Sequence, residues 1–140
     1  MKIKLVPLSK RDKVLVHSLL SDYTNILMDA LNIVVKNNVR SRKKAHELCY
    51  RYLRERYPHL HNKYVEEAYK RALVVYRSYR KLLGKWMKYK RGNSPSPPSV
   101  DANRVVDLHI DTFRIEEKNN FMIFRLSIGS GEYALSLIHI

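Results

Sequence analysis

The sequence predicts an α+β protein whose three helices are inserted between the first and second strands of a β part that is discontinuous in the chain. Three observations predict it. Apolar residues recur at three-and-four spacing from Val16 to Trp86, the mark of amphipathic helices. They alternate in twos before Pro7 and again after Val106, the mark of strands. Between the two regimes lies GNSPSPPS, residues 92–99, which cannot continue a helix because proline fixes φ and has no N–H to donate. It reads as a stiff, extended connector.

Each element follows in order. Lys2 to Pro7 alternate, with Ile3 and Leu5 on one side and Lys2 and Lys4 on the other, predicting a short strand closed by Pro7. Ser9 stands three residues before Asp12, the spacing of a capping box with Asp in place of Glu. A long helix follows through Val16, Leu19, Tyr23, Ile26, Ala30 and Val34 and ends near Lys36 to Asn38. A second helix is predicted from Ser41 to about Arg56, burying Ala45, Leu48, Cys49 and Tyr52. It is broken by YPHLHN, because Pro58 disfavours helix at the residue before it.

The third helix spans about Asn62 to Lys90, roughly 40 Å at the α-helical rise. Its arc of Val65, Ala68, Ala72, Val75, Tyr76, Tyr79, Leu83 and Trp86 is expected to pack on the first helix. After the connector, Val106, Leu108, Ile110, Phe113 and Ile115 predict a strand with a phase slip near Thr112, followed by a turn at EEKNN. Met122, Phe124, Leu126 and Ile128 predict another strand, GSGE a turn, and Tyr133 onward a last strand. Three strands are marginal alone, so the N-terminal strand is expected to join them.

Charge sharpens the division. The chain has 140 residues and a formal net charge of +14. Residues 36–91 carry 18 basic against 4 acidic side chains, and the flanks cancel. Charge gathered on one segment is the footprint of a polyanion binder, whereas a merely solubilising surface needs only mixed charges. On the third helix Lys63, Glu66, Lys70, Arg77, Lys81 and Lys88 share the arc opposite the apolar one. The expectation is a line of phosphate contacts, with Lys85 and the Arg40, Arg42, Lys43 and Lys44 cluster adding to it. Tyr50, Tyr57 and Tyr69 could stack on bases; the core reading is kept for all but Tyr57.

Catalytic signals are sparse. Cys49 is the only cysteine, which excludes an intrachain disulfide and any zinc site with two or more thiolates. No Gly-rich phosphate loop, G-x-S-x-G elbow, H-E-x-x-H or deaminase signature is present. Asp107, His109 and Asp111 alternate as one face of a strand, a weak candidate metal cluster whose alternative is the polar face of a half-exposed strand. The pairs His46 with Cys49 and His59 with His61 read as structural. MKIKLVPL is too short for a signal-peptide core and no apolar run reaches membrane-spanning length, so a cytoplasmic protein with no membrane partner is expected.

The element order, with LVPLSKRD, YTNILMDALN, LRERYPHLHNKYVEEAYKRALVVYRSYRK, VVDLHIDTFRI and NNFMIFRLSIGSGEYAL, resembles the N-terminal part of the TnpB (OrfB) family. These are transposon-encoded RNA-guided DNA endonucleases, relatives of type V CRISPR effectors. The resemblance spans residues 1–134. It implies a small, incomplete, antiparallel wedge-like β-barrel made of residues 1–8 plus 95–137, and a helical recognition-like insertion over 9–92. It further implies guide RNA and double-stranded DNA as partners, and no small-molecule substrate. Asn62, Lys63, Glu66 and Lys70 would occupy the duplex-reading place, with Ser41 at the preceding helix start.

The family's RuvC-like nuclease domain and zinc element lie further C-terminal. The expectation is therefore binding without cleavage, with no catalytic residue and no cofactor in this chain, and nucleoid association in a prokaryotic cell. The closing LSLIHI, Leu135 to Ile140, resembles the in-frame translation of a transposon-end adapter used in sequencing libraries, which implies a non-native tail; an ordinary apolar strand is the other reading. Two further readings come from other classes: a helical module that meets an acidic protein partner, and a small metal-dependent nuclease built on Asp107, His109 and Asp111.

Overall fold

The computed structural model describes residues 4–100 and 105–139. Lys2 and Ile3 of the predicted first strand, and Ile140 of the closing stretch, lie outside the described residues. The architecture is α+β: a four-stranded antiparallel open sheet against a bundle of three helices. The elements are β1 (Lys4–Pro7), α1 (Lys10–Lys36), α2 (Arg42–Arg56), α3 (Asn62–Tyr89), a 3-10 turn (Ile110–Thr112), β2 (Phe113–Lys118), β3 (Phe121–Gly129) and β4 (Glu132–His139). The strand order is β1-β4-β3-β2, so β1 closes back on the last strand with all three helices inserted between β1 and β2.

The start of α1 is set by its cap. Ser9 accepts the Asp12 N–H at 3.1 Å, and its hydroxyl donates to Asp12 Oδ2 at 2.7 Å. Asp12 then does more than cap. Its Oδ1 accepts the Leu135 N–H at 3.0 Å, fastening the first turn of α1 to β4 beside the Leu8 N–H to Leu135 carbonyl bond. Burial alone would raise the Asp12 pKa. The hydrogen bonds from Leu135 and Ser9, with Arg11 nearby, hold it below the usual carboxylate range. The far end of α1 stops at Asn37, and Asn38 takes a left-handed φ of 48°, a conformation asparagine tolerates. Val39 then turns inward, 2 % exposed, its N–H bonded to the Val34 carbonyl.

The helices form an up-down-up set. His59 and Asp22 meet near the start of α3 (2.9 Å), and Tyr76 donates to Asn38 beyond the end of α1 (2.7 Å), so α1 and α3 run in the same direction. Between them α2 runs back, with His46 against Tyr69 (2.7 Å). The core is one cluster built from Tyr23, Ile26, Ala30 and Val34 of α1, Ala45, Cys49 and Leu53 of α2, and Tyr64, Val65, Ala68, Ala72 and Leu73 of α3. From the sheet, Phe124, Leu126, Ile128 and Ala134 join the same cluster. Within it the Cys49 thiol is pushed up to about 11 by burial. The sequence assigned Tyr52 to this core; it is exposed, and Leu53 takes its place. Ala45, Cys49 and Leu53 follow one another at four-residue spacing, which drifts about 40° per step and carries the end of the buried stripe from Tyr52 to Leu53.

The predicted strand through Val106, Leu108 and Ile110 does not form. Residues 105–109 are irregular, Ile110–Thr112 make the 3-10 turn, and pairing begins only at Phe113. The phase slip at Thr112 marks that turn: Thr112 is fully buried, with its hydroxyl donating to the His109 carbonyl. EEKNN is likewise mostly strand. The β2–β3 turn is only Asn119 and Asn120, with φ of 51° and 66°, the left-handed pair that a two-residue hairpin requires. Leu135 to His139 form the body of β4, bonded to β3 on one side and β1 on the other.

The sheet sits at the end of the bundle where α1 and α3 begin. Tyr64 donates to the Ser127 carbonyl there, and the His61 N–H bonds to Ile128 (2.8 Å). At the opposite end α3 outruns its neighbours. Its last buried residue is Tyr76, leaving thirteen residues, Arg77 to Tyr89, with none buried. Tyr79 still packs on the core, so residues 80–89, roughly 15 Å of helix, run on past it.

Candidate nucleic-acid interface

At the distal end the two most basic segments are brought together. Ser41 caps α2 by accepting the Lys44 N–H at 3.2 Å, so the first turn of α2 directs its positive dipole end outward among Arg40, Arg42, Lys43 and Lys44, all exposed. Arg77 of α3 donates through Nε (3.2 Å) and Nη2 to the Arg40 carbonyl, which fixes the α1–α2 loop against α3. Val39, Arg40, Tyr76, Arg77, Arg80 and Lys81 line an open depression of about 370 Å³ with no carboxylate in its wall. Residues 36–44 contain five basic side chains and residues 77–91 seven, with no acidic one in either. Among the described residues none of Arg80, Lys81, Lys85 and Lys88 is ion-paired. Lys44 has a loose, exposed partner in Glu47 at 3.9 Å.

The proximal half of α3 is different. Lys63 lies 3.1 Å from Glu66, which holds its ammonium above the ordinary lysine value. Lys70 lies 3.7 Å from Glu67, and Arg71 lies 3.7 Å from Asp107. The single line expected from Lys63 to Lys88 is therefore two stretches, one compensated and one bare. Asn62 opens α3 half-buried near the sheet, far from the distal cluster. Glu66 and Glu67 were readable as neighbours of Lys63 and Lys70 from spacing; the Arg71–Asp107 pair depends on the fold. Arg80 was missed, since it falls outside the α3 arc of Arg77 and Lys81. It joins the cluster only because the α1–α2 loop packs on its side.

Tyr57 is tied to α1. Its hydroxyl donates to Asp29 Oδ2 (3.0 Å), its ring is half-buried, and burial with the Asp29 charge pushes its pKa up to about 12. It ends α2, some 22 Å from the Ser41 end. Tyr69 is 4 % exposed, and Tyr50 stacks on His46 at 4.7 Å.

The weak metal candidate does not assemble. Asp107 accepts the Tyr23 hydroxyl (2.7 Å) and pairs with Arg71, while His109 Nδ1 accepts the Asp111 N–H (3.1 Å) as the cap of the 3-10 turn. Those three residues lie on irregular chain and a turn, so they do not share a strand face. Among the described residues no group of three His, Cys, Asp or Glu side chains is arranged to hold a metal ion. Nor, among them, is any helix long and apolar enough to cross a membrane.

One protein-family model, described as the Uncharacterized protein MJ0013 family, matches residues 19–119. The match runs from within α1 to the turn after β2, and so takes in the whole distal cluster. No curated protein matches the chain.

Proposed function

The chain belongs to the Uncharacterized protein MJ0013 family, and from the surface just described we propose that it binds nucleic-acid backbones with the distal end of the helical bundle. One observation carries the reading: Arg40, Arg77, Arg80 and Lys81 converge on a depression that holds no carboxylate. Around it the first turn of α2 and the uncompensated projection of α3 extend the same sign of charge. Such a surface concentrates polyanions, and each cation set on a phosphate releases a counterion. Ser41, Arg42, Lys43, Lys44, Lys85 and Lys88 belong to the same surface. Lys63 and Lys70 would first have to leave Glu66 and Glu67, and contribute less.

The finer reading rests on the TnpB resemblance. In it the helices are the recognition-like insertion, and the open sheet is part of a wedge-like barrel to which the β1 and β2 edges remain available. The insertion of all helices between β1 and β2 supports that order. Guide RNA and target-adjacent duplex are then the ligands, the chain binds without cutting, and no cofactor is assigned to it.

The test is equilibrium binding of the whole chain to a random 20-base-pair duplex and a single-stranded RNA across a salt series. Affinity should fall steeply with salt, and Arg77→Glu with Lys81→Glu should weaken both ligands and flatten the dependence. Affinity unchanged by the reversal refutes the reading. Tight binding to an acidic polypeptide that generic RNA does not displace favours a protein partner instead.

A further inference from the structure

Beyond the phosphate cluster, the α3 projection carries a second kind of surface. Leu82, Met87 and Tyr89 are 56 %, 62 % and 63 % exposed, on a stretch of α3 with no buried residue. Leu82, Lys85, Trp86, Tyr89, Arg91 and Pro95 line an open cavity of about 540 Å³. The cavity has a fixed wall: the Trp86 indole N–H donates to the Gly92 carbonyl at 3.2 Å, pinning the ring against the start of the connector. Lys88 lies over the Tyr89 ring, with its Nζ 5.4 Å from the centroid.

The helix steps from the phosphate line to these groups through Lys85. At about 100° per residue, Arg77, Lys81 and Lys88 fall within about 40° of one another, Tyr89 and Leu82 lie about 80–100° round from Lys81, Trp86 about 140° round on the apolar arc, and Lys85 stands between. We propose that this cavity is a stacking site for an unpaired base of single-stranded nucleic acid, whose flanking phosphates lie on Lys81, Lys85, Lys88 and Arg91. The proposal rests on the phosphate-binding reading and adds what the strand must be. A base inside a duplex is already stacked and paired, so only an exposed base can enter between aromatic and aliphatic walls. A strand fits better than an apolar protein partner, because its phosphates match every cation that a protein face would leave buried and unpaired.

Trp86 is the chain's only tryptophan, so its fluorescence reports on this cavity alone. The test titrates the full chain with a 12-nucleotide oligothymidylate, the matching oligouridylate, an abasic 12-mer and a 12-base-pair duplex, following fluorescence and anisotropy together. Saturable quenching is expected with the two base-bearing single strands and not with the abasic strand; the DNA and RNA arms tell which sugar is preferred. Trp86→Leu, and separately Tyr89→Leu, should weaken oligothymidylate binding about 5- to 150-fold, in keeping with alanine-scan values for base stacking. Duplex affinity should stay within about twofold.

If anisotropy shows salt-dependent binding while tryptophan emission is unmoved and Trp86→Leu binds oligothymidylate like the parent, the stacking site is wrong and the phosphate-binding reading stands. Self-association of nucleic-acid-free protein that Trp86→Leu abolishes also overturns it, by making the patch a homotypic interface. No salt-dependent binding to any of the four probes removes both.

Discussion

Splitting the cations of α3 into a bare distal set and a compensated proximal set makes a quantitative prediction. The perturbation is replacement of Arg40, Arg77, Arg80 and Lys81 by Gln, set against a control in which Lys63 and Lys70 become Gln. Each duplex phosphate neutralised contributes about 0.9 to the slope of log affinity against log salt, and each single-strand phosphate about 0.7. If all four distal cations lie on phosphates, the slope falls by about 3.6 on duplex and about 2.8 on single strand. Between 50 and 200 mM salt, a slope change of that size shrinks the duplex affinity change by about two orders of magnitude.

The control predicts much less. Lys63 and Lys70 sit 3.1 and 3.7 Å from Glu66 and Glu67, so an arriving phosphate would have to displace a carboxylate already in place. Together they should change the slope by less than about 1. Loss of the Arg77 bonds to the Arg40 carbonyl costs about 1 kcal/mol at this exposed joint, small enough for circular dichroism to confirm an intact fold. Fluorescence anisotropy with a labelled 20-base-pair duplex at five salt concentrations measures both slopes. Equal changes in the two variants, or a distal change below about 1, would refute the division.

Two further predictions concern what holds the interface in place. Asp12→Ala removes the acceptor for the N–H of half-buried Leu135 and the charge in the first turn of α1; urea unfolding should show a loss of about 1–3 kcal/mol. Because the folded Asp12 pKa lies below its unfolded value of about 3.9, its contribution is present above that pH and is lost as pH falls through the folded value. The Ala variant should lack this acid-side step, and an identical acid profile in both proteins would count against the fastening. Gly129 has φ of 144° and lies so close to the chain at His59 to His61 that a Cβ would overlap the His59 carbonyl oxygen. Gly129→Ala should therefore cost about 3 kcal/mol or more and lower Tm by on the order of 10 °C. Gly131→Ala, at φ of 75° with open space around it, should cost about 1 kcal/mol; similar losses for the two would mean the close approach is not what Gly129 serves.

Local physics made much of this protein readable from its residues. Capping chemistry fixed the starts of α1 and α2 at Ser9 and Ser41, and apolar periodicity marked the faces of α1 and the first half of α3. Alternation located β3, and the charge count placed the positive excess on residues 36–91. Such signals lie within a few residues of one another, where helix and strand geometry set the neighbours. What needed the tertiary structure was every relation between distant segments. The α1–α2 loop lands beside Arg77 and recruits Arg80; Asp107 is taken by Tyr23 and Arg71; and α3 runs past the core after Tyr79. The apolar arc continues through Leu83 and Trp86 with no break in the pattern, although no partner helix reaches that far. Periodicity records which side of a helix is apolar; only packing decides whether anything covers it.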